Sequence, residues 1–172
     1  FFGEGMKSDG FKALNPMGKI PVLRHGEVTV TECAAICAYL ADAFPDRNLA
    51  PAREDRGSYY RWLFFAAGPL ETAVTLHAFG ITLNEQQRRT AGCGSRDDAL
   101  GTLEKAVRAS DFIAGPTFSA ADVYVGSHIG WGLQFGTIDR RPAFEAYWDR
   151  VSNRPAYQRA NDIDDALMPA QQ

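Results

Sequence analysis

The stretch NPMGKIPVL, residues 15–23, decides how the first third of this chain is read. Its end has the apolar character of a strand, yet Pro16 precedes Met17-Gly18 and Pro21 interrupts Ile20 and Val22. A proline inside a strand removes a ladder donor, so it is confined to edges, first residues and bulges. Two readings of Pro21 fit. One is a plain edge-strand proline. The other is a cis bond, whose penalty is small before proline. That bond bends the start of the strand and turns the N–H and C=O of Ile20 outward. Free backbone groups of that kind pair with an extended peptide, as in strand addition.

Working outward, KIPVLR (19–24) and EVTVT (27–31) are short apolar runs separated by His25-Gly26, a turn signal. They predict a β-hairpin, and EVTVT has the alternation of a half-buried strand. Residues 1–14 show no strong period and end in a short helical turn before Asn15. From Glu32 the pattern becomes helical, with Cys33, Ile36, Cys37, Leu40 and Phe44 on one face and Thr31 as the expected N-cap.

The start of this helix has its own chemistry. Free N–H groups and the dipole favour a carboxylate there. Glu32 offers an anion to an ammonium group, so the two together suit the charged end of an amino acid. Glu in a first helical turn is also favourable with no ligand. Lys19 is placed to reach a carboxylate, or is simply solvated. Cys33 reads either as a nucleophile activated by the helix N-terminus or as a small half-buried residue, and the second reading is preferred.

Pro45 and the following DRNLAPA form a linker. Beyond Arg53 only helical patterns remain. Residues 54–79 predict a long helix with Tyr59, Trp62, Leu63, Ala66 and Leu70 on one side and a kink at Gly68-Pro69. Residues 84–109 form a second unit broken around Gly92-Cys93-Gly94; 119–135, 141–152 and 155–167 form three more. Ser119-x-x-Asp122 is a capping-box pattern, with Phe118 and Val123 at the staple positions. The helix it opens is almost uncharged, which predicts a buried central position. Asp122 therefore reads as a cap and not as a catalytic acid. His25 is expected in a turn; His77 and His128 are expected to pack or lie at the surface.

Composition narrows the class. The chain has 172 residues, 45% apolar and 23% charged, with net charge −3. It lacks the basic excess of a nucleic-acid binder and any apolar run long enough to span a bilayer. Cys33, Cys37 and Cys93 are few and not in C-x-x-C spacing, which points to a reducing, cytoplasmic setting. No two ligands stand at metal-site spacing, so no metal is expected.

The ordered set resembles the glutathione transferase family, bacterial type. Asn15-Pro16-x-Gly18-Lys19-Ile20-Pro21-x-Leu23 is similar to the segment entering its third strand. Glu32-Cys33-x-x-Ile36-x-x-Tyr39-Leu40 is similar to its Glu-Ser-x-x-Ile helix start, and Ser119-x-x-Asp122 to the cap of its central helix. Trp148, Arg150 and Arg154-Pro155-Ala156 fit near the end.

The resemblance implies an α/β thioredoxin-like N-terminal domain, partial over 1–44, a linker over 45–53 and an all-α helical bundle over 54–172. It implies that Pro21 is cis, that Ile20 pairs with the cysteinyl backbone of glutathione, and that Glu32 and Cys33 hold the γ-glutamyl end with Lys19 nearby. It implies glutathione as co-substrate with no bound cofactor, a small electrophile as second substrate, detoxification chemistry and a homodimer. Tyr59, Tyr60 and Trp131 are the expected pocket wall. Cys33 departs from the family's Ser or Thr. The family's first βαβ unit, which carries the thiol-activating Tyr, Ser or Cys, is expected ahead of residue 1, since 1–14 can supply only its tail. Alternatives on the same scaffold are a non-catalytic binding or scaffold protein and a glutathione-dependent isomerase or disulfide reductase.

Overall fold

The computed structural model describes residues 4–167. Residues 1–3 and 168–172, the outer ends of the two expected domains, lie outside the described residues. The chain enters through a 3-10 turn (Glu4–Lys7) and a short helix α1 (Asp9–Leu14). Ser8 caps α1, its Oγ accepting from the Phe11 N–H at 3.3 Å.

The next turn is built on a buried polar residue. Asn15 is 4% exposed. Its Nδ2 donates to the Lys19 carbonyl at 2.8 Å and its Oδ1 accepts from the Met17 N–H at 3.1 Å. Gly18 has φ +60, and a Cβ there would lie 2.8 Å from the Met6 carbonyl oxygen. Only glycine fits that close approach without strain.

Strands β1 (Val22–His25) and β2 (Val28–Thr31) form an antiparallel hairpin with Val22 opposite Thr31 and His25 opposite Val28. The turn falls on Gly26-Glu27, with Gly26 at φ +59. His25 was expected in that turn; it instead ends β1. Its Nδ1 lies 3.1 Å from the Tyr39 hydroxyl and its ring stacks on Phe44 at 5.6 Å. Those contacts tie the hairpin to α2 (Cys33–Ala43). The cap of α2 is Glu32 and not Thr31, which closes β2.

The helical part follows the predicted breaks. Helix α3 (Arg56–Phe65) runs through a π-helical segment (Ala66–Leu70) into α4 (Glu71–Ala78). Pro69 lacks an N–H and crowds the preceding turn, so the ladder widens there. Helices α5 (Glu85–Thr90) and α6 (Arg96–Ala109) flank the Gly92-Cys93-Gly94 break. Then come α7 (Ala120–Phe135), α8 (Pro142–Ser152) and α9 (Pro155–Leu167).

Helix α7 is central. Leu63, Leu100, Leu103, Val125, Ile129, Phe144 and Tyr147 form one apolar cluster around it, and Ala34 and Ala41 of α2 belong to the same cluster. Packing therefore crosses the expected 45–53 linker. Asp122 is fully buried. Its Oδ2 accepts from Ser119 N–H at 2.8 Å and Ser119 Oγ at 3.0 Å. Its Oδ1 accepts from Ile113 N–H at 2.6 Å and Tyr147 hydroxyl at 2.7 Å. A buried carboxylate is tolerated when donors satisfy it in this way. The residue is a cap, and it also ties down the preceding loop and α8. Among the described residues no helix is long and apolar enough to cross a membrane.

Candidate functional site

Pro21 stands immediately before β1 and outside the ladder, whose first pair is Val22 with Thr31. It therefore removes no hairpin hydrogen bond. The Ile20–Pro21 bond is cis. Ile20 is 51% exposed, and its N–H and C=O take no part in the hairpin or in the other backbone hydrogen bonds of the described residues. Lys19, next to it, is exposed, and its carbonyl is held by Asn15.

Across the hairpin, Glu32 joins β2 to α2 with φ +68 and ψ 121. Positive φ is uncommon for a residue with a side chain, costs on the order of 1–3 kcal/mol and gathers at functional sites. This conformation breaks the strand within one residue and starts the helix. The Glu32 side chain makes no capping hydrogen bond to α2, so its carboxylate is not used up by the helix. Cys33 follows, half-buried, at the first position of α2.

Pro21 and Cys33 form one lip of a cleft between the hairpin–α2 unit and α4 and α7. Ile36 and Cys37 of α2, Val74 of α4, and Tyr124, His128, Trp131 and Phe135 of α7 also line it. Trp131 and Phe135 meet edge to face at 5.7 Å. The wall is mostly apolar and aromatic, as small-molecule sites usually are.

The thiols of this cleft are held protonated. Burial, then the Glu71 and Glu32 carboxylates, push Cys33 up. Burial, then Cys33, pushes Cys37 up to about 11. A thiolate is the reactive form, so the helix N-terminus does not make Cys33 a nucleophile. Burial also lowers His128, against the pull of Glu71, which keeps its imidazole neutral near physiological pH. Burial and then Glu71 raise Tyr124, whose hydroxyl donates to Glu71 Oε2 at 3.3 Å.

Of the three residues expected in the pocket wall, Trp131 lines this cleft and is 65% exposed. Tyr59 does not: it is 1% exposed, inside the core. Tyr60 does not line it either: its hydroxyl accepts from Arg56, which pairs with Asp42 at 2.9 Å. The dense aromatic run YYRWLFF concealed which rings faced outward. Glu71, Tyr124, His128 and Phe135 were missed in the sequence. The signal available for three of them was the i, i+4 spacing along α7, with Phe135 four residues beyond Trp131.

An α/β hairpin unit with a cis-proline before its first strand, packed on an all-helical domain, defines the architecture of the glutathione transferases. The sequence model described as "Glutathione S-transferase, N-terminal domain" matches residues 2–43. Glutathione S-transferase GstA of Escherichia coli O157:H7 is 30% identical over 156 residues, covering 88% of this chain and 77% of its own length. The structure of a sphingomonad glutathione S-transferase complexed with glutathione superposes with a TM-score of 0.74 at 31% identity, over 94% of this chain and 81% of that one. The ternary complex of BphK, a bacterial transferase, gives 0.73 at 26% identity, over 92% and 80%. The chain belongs to the glutathione S-transferase family of enzymes.

Proposed function

We propose that this protein conjugates glutathione to small electrophiles, with the tripeptide on the hairpin and the electrophile in the cleft. The backbone N–H and C=O of Ile20 pair with the cysteinyl residue of glutathione. Glu32 receives the γ-glutamyl ammonium, and the free N–H groups at the start of α2, with Cys33, receive its carboxylate. Lys19 stands close to the tripeptide as a countercharge. The glutathione thiolate then attacks the electrophile against the Trp131 wall. Enzymes of this type act by raising the fraction of ionised thiol at neutral pH.

One observation carries this reading. Ile20, with its unpaired backbone, and Glu32, with positive φ, directly precede Pro21 and Cys33, which both line the same aromatic cleft. The apolar lining supports a hydrophobic second substrate. Three free thiols support a reducing, cytoplasmic setting. Exposed Tyr60 and Phe64, one turn apart on α3, support a homodimer.

The test is retention on immobilised glutathione, followed by turnover with a chlorodinitrobenzene. Retention with turnover is the expected result. Retention without turnover favours a binding module, and no retention removes the glutathione reading.

A further inference from the structure

Glu71 opens α4 directly after the π-helical segment, so the widened turn sets its direction. It is exposed, and none of the ion pairs among the described residues includes it. Among the described residues its one side-chain partner is the hydroxyl of Tyr124, which lines the cleft from α7. Val74, one turn further along α4, lines the cleft beside it. Among the described residues, no Lys or Arg lines the cleft. The Glu71 carboxylate, not itself among the lining residues, thus stands beside an aromatic cleft through its bond to Tyr124. An acid beside aromatic faces is the chemistry that recognises a positive charge, by Coulomb attraction and by cation–π contact.

We propose that Glu71 selects the second substrate, favouring aromatic electrophiles that carry a cationic or hydrogen-bond-donating group and rejecting anionic ones. This rests on the conjugation reading above. The aromatic body of the electrophile stacks on Trp131 and Phe135, and its charged substituent reaches Glu71 beside Tyr124. Cys33 lies within the field of the same carboxylate, as the upward push on its thiol shows. The selecting charge therefore stands close to where the tripeptide would sit. Oε2 of Glu71 accepts from Tyr124, and among the described residues Oε1 has no hydrogen-bond partner.

The experiment compares para-(chloromethyl)phenyl-trimethylammonium with para-(chloromethyl)benzoate, each with glutathione, corrected for the uncatalysed rate. In each reaction a C–S bond forms at the benzylic carbon, C–Cl breaks, chloride leaves, and the thiol proton passes to solvent. The protein is expected to favour the cation by about tenfold or more in kcat/KM, the scale of one partly screened charge contact. Glu71→Gln, which keeps the shape and still accepts from Tyr124, is expected to bring the ratio to within about twofold of unity. Tyr124→Phe keeps the charge and is expected to retain the preference. No cation preference in the native protein, or a preference that survives Glu71→Gln, overturns the proposal.

If neither chloride is turned over, the conjugation reading fails, and the selection is read by binding instead. The matching para-(hydroxymethyl) compounds are titrated calorimetrically in the presence of glutathione. Tighter binding of the cation that is lost in Glu71→Gln upholds the role of Glu71. Equal binding of the two compounds, or no binding, removes it.

Discussion

The phenolic hydroxyl of Tyr147 donates to Asp122 Oδ1 at 2.7 Å, so the first turn of α7 and the middle of α8 share one buried carboxylate. Removing the carboxylate strands its donors, including the Ile113 N–H and Ser119 N–H. Asp122→Ala is expected to lower unfolding stability by about 3–5 kcal/mol. Tyr147→Phe, which removes one of the donors, is expected to cost about 1–2 kcal/mol. Urea titration reads both. A loss below about 1 kcal/mol for Asp122→Ala would show that the network does not hold the helices together.

Gly18 and Gly26 form an internal comparison, since both have positive φ. A Cβ at Gly26 meets nothing, whereas one at Gly18 meets the Met6 carbonyl oxygen at 2.8 Å. Gly26→Ala is expected to cost about 1 kcal/mol from backbone strain alone. Gly18→Ala is expected to cost about 1–3 kcal/mol more and to weaken retention on glutathione, because the turn positions Lys19 and Ile20. Equal costs for the two variants would contradict the close approach.

Cys33 places a weak hydrogen-bond donor where the proposed tripeptide carboxylate arrives. Cys33→Ser is expected to tighten glutathione binding by about two- to tenfold, the worth of a better hydrogen bond. Cys33→Ala is expected to leave it unchanged or weaker. Calorimetric titration distinguishes these outcomes, and an unchanged affinity in both variants would show that the side chain at position 33 does not contact the ligand.

Cys37 is raised above the ordinary thiol value of 9.0 to about 11, first by burial. A group whose folded pKa is raised contributes stability below its unfolded value and loses it as pH rises through the folded one. The window is therefore pH 9.0 to about 11. Native protein is expected to lose at most about 2–3 kcal/mol across it on this account. Cys37→Ala is expected to show a flatter pH dependence in urea titrations. Alkylation of Cys37 by iodoacetamide in the folded protein should stay slow below that window; fast labelling at pH 8 would refute the burial effect.

Phe64 is 70% exposed on the outer face of α3. If that face meets a second copy, Phe64→Asp is expected to weaken the dimer by about tenfold or more in sedimentation equilibrium, because the new charge would be buried unpaired. An unchanged dimer would place the interface elsewhere.

Much of the architecture was legible because its punctuation is local. Pro45, Gly68-Pro69, Gly92 and Gly94, Ser119 and Pro155 each act on the backbone next to them, and each marks a real break. The cap at Asp122 was readable for the same reason. Its bonds to Ile113 and Tyr147 were not, because they come from residues far along the chain. Glu32 was recognised by charge, but its positive φ was hidden: no local signal forces a glutamate there. Tyr59 and Tyr60 show the limit most plainly. Adjacent aromatics on a helix differ by about a quarter turn, and only packing decided that Tyr59 entered the core. The His25 side chain was misread because its partners are Tyr39 in the following helix and Phe44 at that helix's C-cap.

Ala34 and Ala41 are small residues buried where α2 enters the main core. Small side chains there let two helical backbones approach closely, and close-packed interiors leave little slack. The lip that would grip the tripeptide is thereby fixed to the same body as the aromatic wall opposite. Both sides of the gap therefore draw on one packed core. On the proposed reading, the side chains that line the cleft, Trp131 and Phe135 among them, set which molecules fit.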